Sequence, residues 1–273
     1  MIIRKTRPEE GKRVNTLFAI AFEQPMENGP GEEPGVTNWG AFEEDTMFST
    51  FAVTDFTQFF DGNQVKMGGI GGVATLPSHR RKGGIRGIFQ AALADMYENG
   101  YDFSYLYPFS TAYYRKFGYE NCVNRSFVTV DLGLLSPRKA ETVSVLAELG
   151  SDLRGPIREL DRVWEQTYNM AVCHPEKDYG WVVKADPAGK QNFLYVCLDT
   201  DRKPLAYTQF HLENQTDGRN LVCSRFCFRN RKGFDGLMNL FKGFSADHRF
   251  LKFYLPEAVS YTHLRAHETE ADL

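Results

Sequence analysis

Apolar residues change their spacing several times along this chain, and each change marks an element. Residues 1–6 (MIIRKT) read as a short strand. Pro8-Glu9-Glu10 then looks like a helix start, with acidic side chains in the first turn. Val14, Leu17, Phe18 and Phe22 follow at helical spacing, and a Gly/Pro/Glu loop at Gly29–Gly35 closes that segment. From Asn38 to Leu76 three strands are predicted, joined by turns at Glu43-Glu44-Asp45 and Asp61-Gly62-Asn63. The third, Val65 to Leu76, carries Gly68, Gly69, Gly71 and Gly72. Glycine weakens a strand, so the cluster points to a bulge or to close approach of another backbone or a ligand. Pro77 ends that strand and a basic loop follows. Ile85, Ile88, Phe89, Ala92, Leu93 and Met96 then mark one face of a helix that Gly100 closes. Phe103 to Tyr107 is a fifth strand, expected to run parallel to the third after a right-handed crossover. A short helix over Thr111–Lys116 and a strand over Cys122–Val130 complete a first domain, residues 1–134.

A second domain, residues 135–258, starts near Ser136-Pro137. Helices are predicted over Ala140–Leu149 and Ile157–Ala171, and strands over Phe193–Leu198, Pro204–Leu212 and Leu221–Phe228. A helix over Gly233–Phe244 and a strand over Phe250–Leu255 end it. This order echoes the first domain. The reading is an α/β protein of mixed sheets, two tandem domains of one architecture, the second a degenerate copy. The stretch from Val259 to Leu273 is unlike a domain ending. Val259-Ser260-Tyr261-Thr262-His263-Leu264 resembles a translated transposon adapter, so the natural chain is expected to be cut near Ala258.

Composition narrows the class. The chain has 273 residues, 42% hydrophobic and 25% charged, enough apolar material for two cores. A net charge of -3 argues against a nucleic-acid partner. No apolar run is long enough to span a bilayer, so no membrane partner is expected. Five cysteines, Cys122, Cys173, Cys197, Cys223 and Cys227, lack framework spacing and read as reduced thiols of a cytoplasmic protein. Cys223 and Cys227, four apart in a strand, are expected to share a face. No metal site is expected, and the isolated His174 and His211 read as structural or exposed.

The chemistry-bearing candidate is the loop His79-Arg80-Arg81-Lys82-Gly83-Gly84-Ile85-Arg86, which opens directly into a helix. A pyrophosphate needs several N–H donors converging on one point. A helix N-terminus supplies them with a favourable dipole, glycine permits close approach, and Arg or Lys adds charge-assisted contacts. A solvated basic turn would carry the same residue types. The glycine-rich strand, the proline break and the amphipathic helix around it favour a ligand site. No Gly-Lys-Ser/Thr follows, so a P-loop is a poor reading.

Val73-Ala74-Thr75-Leu76-Pro77-Ser78-His79-Arg80-Arg81-Lys82-Gly83 resembles the acetyl-CoA motif of the GNAT superfamily of N-acetyltransferases. The run Met67 to Arg86, with Tyr107-Pro108-Phe109-Ser110, is similar to its enhanced-intracellular-survival (Eis) branch. The strong resemblance covers Met67 to Tyr119. The second domain matches in order of elements more than in residues. The resemblance implies tandem acetyltransferase-like domains followed by a sterol-carrier-like domain, which this chain would lack. It implies that Gly72, Val73, Ala74 and Thr75 pair with the pantetheine arm of acetyl-CoA, the acyl donor. It further implies that Arg80, Arg81, Lys82, Gly83, Gly84, Ile85 and Arg86 hold the pyrophosphate. Many members have a small residue where this chain has Ile85, a departure the Eis branch shares. Tyr113-Tyr114-Arg115-Lys116-Phe117-Gly118-Tyr119 resembles the superfamily's aromatic-Tyr-x-x-x-Gly-aromatic signature, which makes Tyr114 the catalytic general acid. Tyr113, Phe117 and Tyr119 read as packing aromatics.

No base stands out among Glu23, Glu27 and Asp45. In the Eis-like family the chain's own C-terminal carboxylate enters the site, and a truncated chain would lack it. The implied acceptor is a primary amine, an aminoglycoside-like small molecule or a lysine. It would sit in a pocket between the first helix and the second domain, with Phe18, Phe22, Trp39 and Phe48 as candidate lining and core burial the blander reading of each. Arg229-Asn230-Arg231-Lys232-Gly233 occupies the loop position of the second domain and is read as a non-binding copy. A full-length chain is expected to form a homo-oligomer. The alternative from another class is an acyl-CoA-binding regulatory or scaffold protein without catalysis.

Overall fold

The computed structural model describes residues 1–25, 34–216 and 218–256. Most of the loop expected at Gly29–Gly35, and the whole stretch from Val259, lie outside the described residues. The chain divides into two units, Met1–Cys122 and Val123 onward.

The first unit runs β1 (Ile2–Lys5), α1 (Gly11–Phe22), β2 (Val36–Glu43), β3 (Thr46–Phe60), β4 (Asn63–Thr75), α2 (Gly84–Glu98), β5 (Phe103–Leu106) and α3 (Thr111–Tyr114). Its strands lie side by side in chain order, β1-β2-β3-β4-β5. All pairs are antiparallel except β4 and β5, which run parallel, as the crossover through α2 requires. Asp61 and Gly62 form the two-residue turn between β3 and β4, both at positive φ (47° and 78°), the geometry that matches strand twist. The helices fill separate core clusters. α2 brings Ile85, Ile88, Phe89, Ala92 and Met96 against Phe51, Val53 and Ile70. α1 brings Val14, Leu17 and Phe18 against Phe42, Met47 and Ala74.

The second unit runs β6 (Arg125–Asp131), β7 (Val143–Leu146), α4 (Arg154–Thr167), β8 (Ala171–Val172), β9 (Asn192–Leu198), β10 (Pro204–Gln215), β11 (Gly218–Phe228), α5 (Arg231–Lys242) and β12 (Phe250–Pro256). Its sheet order is β6-β12-β11-β10-β9-β7. From β7 to β12 this repeats the first unit's order, including a parallel pair, β11 with β12, joined through a helix.

Three sequence expectations are corrected. The helix expected over Ala140–Leu149 is strand β7, which pairs with β9. Val143, Ser144 and Val145 alternate apolar with polar, and β-branched residues favour the pleat. The strand near Cys122–Val130 is β6, which pairs with β12 in the second sheet, so the division falls at Cys122 rather than at residue 134. Cys223 and Cys227 do not share a face. Gln209 lies opposite Arg225 while Phe210 lies opposite Cys223, so Ser224 is an extra residue on β11. One extra residue reverses the alternation. Cys223 packs with Phe210 and Phe226, whereas Cys227 packs with Tyr207 and Val196 in another cluster.

The second unit also buries a carboxyl. Tyr207 on β10 donates a hydrogen bond to Asp161 on α4 at 2.6 Å. Burial pushes the Asp161 carboxyl's pKa up, and contacts from Tyr207 and Tyr179 offset part of that rise. A carboxyl whose folded pKa lies above its unfolded value stabilises most at low pH. That contribution falls as pH rises from the unfolded value through the folded one. Asp161→Asn should therefore flatten the decline that the wild type shows as pH rises from the unfolded carboxyl's value, and match or exceed its stability once that decline is complete. Tyr207→Phe should lose about 1–3 kcal/mol by leaving the buried Asp161 carboxyl without this donor. Urea unfolding of the three proteins checks this. A pH dependence equally steep in Asp161→Asn would reject the assignment.

Candidate active site

The site begins where two parallel strands part. β4 pairs with β5 only from Met67 opposite Phe103 to Ile70 opposite Leu106. β4 continues to Thr75, so the edge from Gly71 to Thr75 has β3 on one side and no strand on the other. At about 3.3 Å per residue this leaves roughly 16 Å of backbone edge open to an extended ligand.

A bulge produces the divergence. Thr50 lies opposite Ala74 and Ala52 opposite Gly71, so Phe51 alone faces both Gly72 and Val73. Gly72 takes φ +63°, and a Cβ there would stand 2.4 Å from the Phe18 ring of α1. The glycine thus serves the backbone conformation and the seat of α1 together.

The strand runs into the basic loop, and the loop into α2. Gly83 begins the helix at φ +86° with no side chain capping it. The first helical bond of the turn is from Gly87 N–H to the Gly83 carbonyl, 3.0 Å. The N–H groups of Gly84, Ile85 and Arg86 have no acceptor among the described residues. Such an end binds anions. Gly84 is buried, and a Cβ on it would meet the Ser49 Oγ at 2.6 Å. Ser49 in turn bonds the Thr75 hydroxyl at 2.9 Å, fixing the helix start beside the end of β4.

The charges of the loop divide into two groups. Lys82 lies 3.4 Å and His79 3.2 Å from the Glu43 carboxylate, and His79 stacks on Phe48. Lys82, and behind it His79, hold the Glu43 carboxyl below its usual range. Arg80, Arg81 and Arg86 are exposed and make no ion pair among the described residues. Lys82 therefore faces sideways to Glu43 while three arginines stay available.

Tyr114 ends α3. The Ser110 side chain caps that helix by accepting from the Tyr113 N–H, and Gly118 at φ +91° closes the following turn. Tyr114 is 4% exposed and belongs to the cluster of Ile70, Ile85 and Phe89, so β4, the start of α2 and α3 meet there. Burial, with a smaller contribution from Tyr113, pushes its hydroxyl up to about 12. Tyr119 is also pushed up to about 12 by burial, and its hydroxyl lies 2.6 Å from Ser104 Oγ. Tyr113 is raised by burial and lowered in part by Arg86, which places its hydroxyl near the start of α2.

The remaining candidates scatter. Phe18, Trp39 and Phe48 are core residues, 2%, 7% and 2% exposed, while Phe22 is exposed beside Phe18. Glu23 is exposed at the end of α1, and Asp45 is exposed in the turn beside Glu43, at the basic-loop end. Glu27 lies outside the described residues. Among the described residues no group of three or more His, Cys, Asp or Glu is placed to hold a metal, and no helix is long and apolar enough to cross a membrane. Glu43 and Ser49 also bear on the site and were not read as site residues from the sequence, because their partners, Lys82 and Thr75, are set by register.

The second unit keeps the bulge but closes the helix end. The Asn230 side chain accepts from Gly233 N–H at 3.0 Å and caps α5. A Cβ on Gly233 would lie 2.4 Å from the Leu205 carbonyl oxygen, so that turn sits directly on β10.

Residues 2–122, which span the first unit, match the family model of the acetyltransferase (GNAT) domain. Solved structures extend the likeness over both units. A GCN5-related N-acetyltransferase from Anabaena variabilis is 17% identical with a TM-score of 0.81, covering 96% of this chain and 68% of its own. A conserved protein from Enterococcus faecalis is 21% identical with a TM-score of 0.75, covering 93% and 64%. Eis1 from Mycobacterium abscessus is 18% identical with a TM-score of 0.69, covering 92% and 64%. At these identities the likeness concerns the fold, and the chain spans about two-thirds of the length of these structures. No curated protein matches the chain.

If Gly72 and Phe18 sustain the bulge together, Gly72→Ala should cost about 1–3 kcal/mol in unfolding of the first unit. The loss should shrink in a Phe18→Ala background, where the ring is gone. A loss below about 0.5 kcal/mol in the single variant would show that the bulge does not depend on this contact.

Proposed function

We propose that this chain is an acetyl-CoA-dependent N-acetyltransferase acting on a primary amine, a small molecule of aminoglycoside type or a lysine. The observation that carries the reading is the open β4 edge, Gly71–Thr75, running without a break into the uncapped start of α2. That arrangement offers an extended amide-bearing chain a strand partner, and offers its pyrophosphate three converging N–H groups. Gly72, Val73, Ala74 and Thr75 are the strand contacts. Gly83, Gly84, Ile85 and Arg86 form the anion end, with Arg80 and Arg81 supplying charge. Lys82, engaged by Glu43, plays a lesser part.

Reaction proceeds by direct attack in a ternary complex. The neutral amine nitrogen attacks the thioester carbonyl carbon. The C–S bond breaks as the tetrahedral intermediate collapses, and the thiol leaves with one proton. Tyr114 is the group for the sulfur. Its hydroxyl, near 12, is protonated at neutral pH. A thiol lies near ~8.5, so complete transfer from Tyr114 is uphill by roughly 5 kcal/mol. Tyr114 therefore acts as a hydrogen-bond donor to the developing thiolate, and the proton the sulfur keeps comes from the amine nitrogen, which must lose it anyway. This assigns Tyr114 a transition-state role with little effect on ground-state binding. The capped α5 in the second unit supports reading that unit as a non-binding copy.

Thiol release with acetyl-CoA and an amine panel tests this. Tyr114→Phe should lower kcat about 10²- to 10⁴-fold with the KM for acetyl-CoA unchanged. The wild-type rate should show no falling limb between pH 7 and 10, because the hydroxyl stays protonated there. Arg80→Ala and Arg81→Ala should weaken coenzyme A binding by calorimetry. Equal kcat in wild type and Tyr114→Phe would remove Tyr114 from the mechanism. Donor binding without thiol release from any amine would favour the non-catalytic alternative.

A further inference from the structure

The two most exposed aromatic rings near the candidate site have no part in the donor arrangement. Tyr107 is 94% exposed and Phe109 is 75% exposed. Both stand in the loop between β5 and α3, on the arm that diverges from β4 after Leu106. Under the reading above, on which this inference rests, the donor lies along the β4 arm. A second substrate must then approach the thioester past the β5 arm.

The loop is held in place. Pro108 fixes its own φ and restricts Tyr107 to extended backbone. Ser110 anchors the far end as the cap of α3. The Phe109 ring stands 5.3 Å from Tyr114 in edge contact and 5.2 Å from Tyr113. Phe109 is thus a positioned aromatic face beside the Tyr114 ring, with most of its surface in water.

We propose that Phe109 and Tyr107 form the acceptor subsite and take the ammonium head of the amine against their ring faces. The chemistry fits in two stages. An alkylamine is protonated at neutral pH, with a reference pKa near ~10.4, and a cation is attracted to an aromatic face. Only the neutral amine is a nucleophile. The ammonium gives one proton to water and becomes the neutral nucleophile beside the thioester. After attack the second proton leaves the nitrogen, the C–S bond breaks and the sulfur takes it. The rings thereby recruit the acceptor, and water takes the proton it must lose before attack.

The test uses Phe109→Ala, Phe109→Tyr and Tyr107→Ala. KM is measured for acetyl-CoA and for whichever panel amine the wild type turns over fastest. Tetramethylammonium, which cannot be acetylated, serves as an inhibitor. Each alanine variant should raise the amine KM and the tetramethylammonium inhibition constant by about 2- to 5-fold. The calorimetric Kd and KM for acetyl-CoA should stay within twofold of wild type. Phe109→Tyr should retain wild-type values. A raised acetyl-CoA KM with an unchanged amine KM would place the rings on the donor side and overturn the proposal. So would unchanged amine KM and tetramethylammonium inhibition in both alanine variants. If the wild type itself fails to bind acetyl-CoA by calorimetry, the functional reading fails and this inference falls with it.

Discussion

One residue too many in β4 is the constraint on which the first unit's site depends. Were β4 and β3 paired without interruption, β4 would keep its alternation and could stay beside β5 to its end. Because Phe51 must face both Gly72 and Val73, β4 bends away. The parallel pairing stops at Ile70 and Leu106, and the next five residues present one bare backbone edge. The bulge needs a left-handed residue, and it needs room for Phe18. Glycine alone meets both demands at position 72. The rest of the arrangement follows from that bend. Thr75 delivers the chain to the loop, Ser49 and Gly84 let α2 start close beside it, and α3 brings Tyr114 into the cluster where the two arms open.

The second unit shows which of these features belong to the shared architecture. It has the same strand order, a bulge at Ser224 and a parallel pair that parts after Val222. The bulge and the divergence are therefore properties of the architecture. The difference lies at the helix start. In α5 the Asn230 side chain occupies the N–H group that in α2 stands free. A side-chain cap stabilises a helix by about 1 kcal/mol, so leaving α2 uncapped gives up stability at that end. The helix end is thus open in the first unit and closed in the second.

Much of this was legible in the sequence. The glycine cluster in β4, the Pro77 break, the basic loop and the amphipathic face of α2 rest on local signals, and the structure places them as read. Repetition of the element order was also legible. What failed was non-local. Residues 140–149 hold enough apolar side chains for a short helix, and only pairing with β9 makes Val143–Leu146 a strand. Nothing in residues 125–131 announces that they join β12 across more than a hundred residues of chain. The opposite facing of Cys223 and Cys227 depends on a bulge that the side chains do not encode visibly. Within the site, the pairing of Lys82 with Glu43 and the contact of Ser49 with Thr75 were hidden for the same reason. Each joins residues more than twenty positions apart, and only the register brings them together.

The central claim is that the donor lies along the β4 edge and ends on the uncapped start of α2. Amide hydrogen exchange of the intact chain, with and without acetyl-CoA, tests it most directly. The account predicts slowed exchange at Gly71–Thr75 and at Gly84–Arg86, with Arg231–Gly233 at the start of α5 unchanged. Saturating acetyl-CoA that leaves Gly71–Thr75 and Gly84–Arg86 exchanging at their free rates would contradict it.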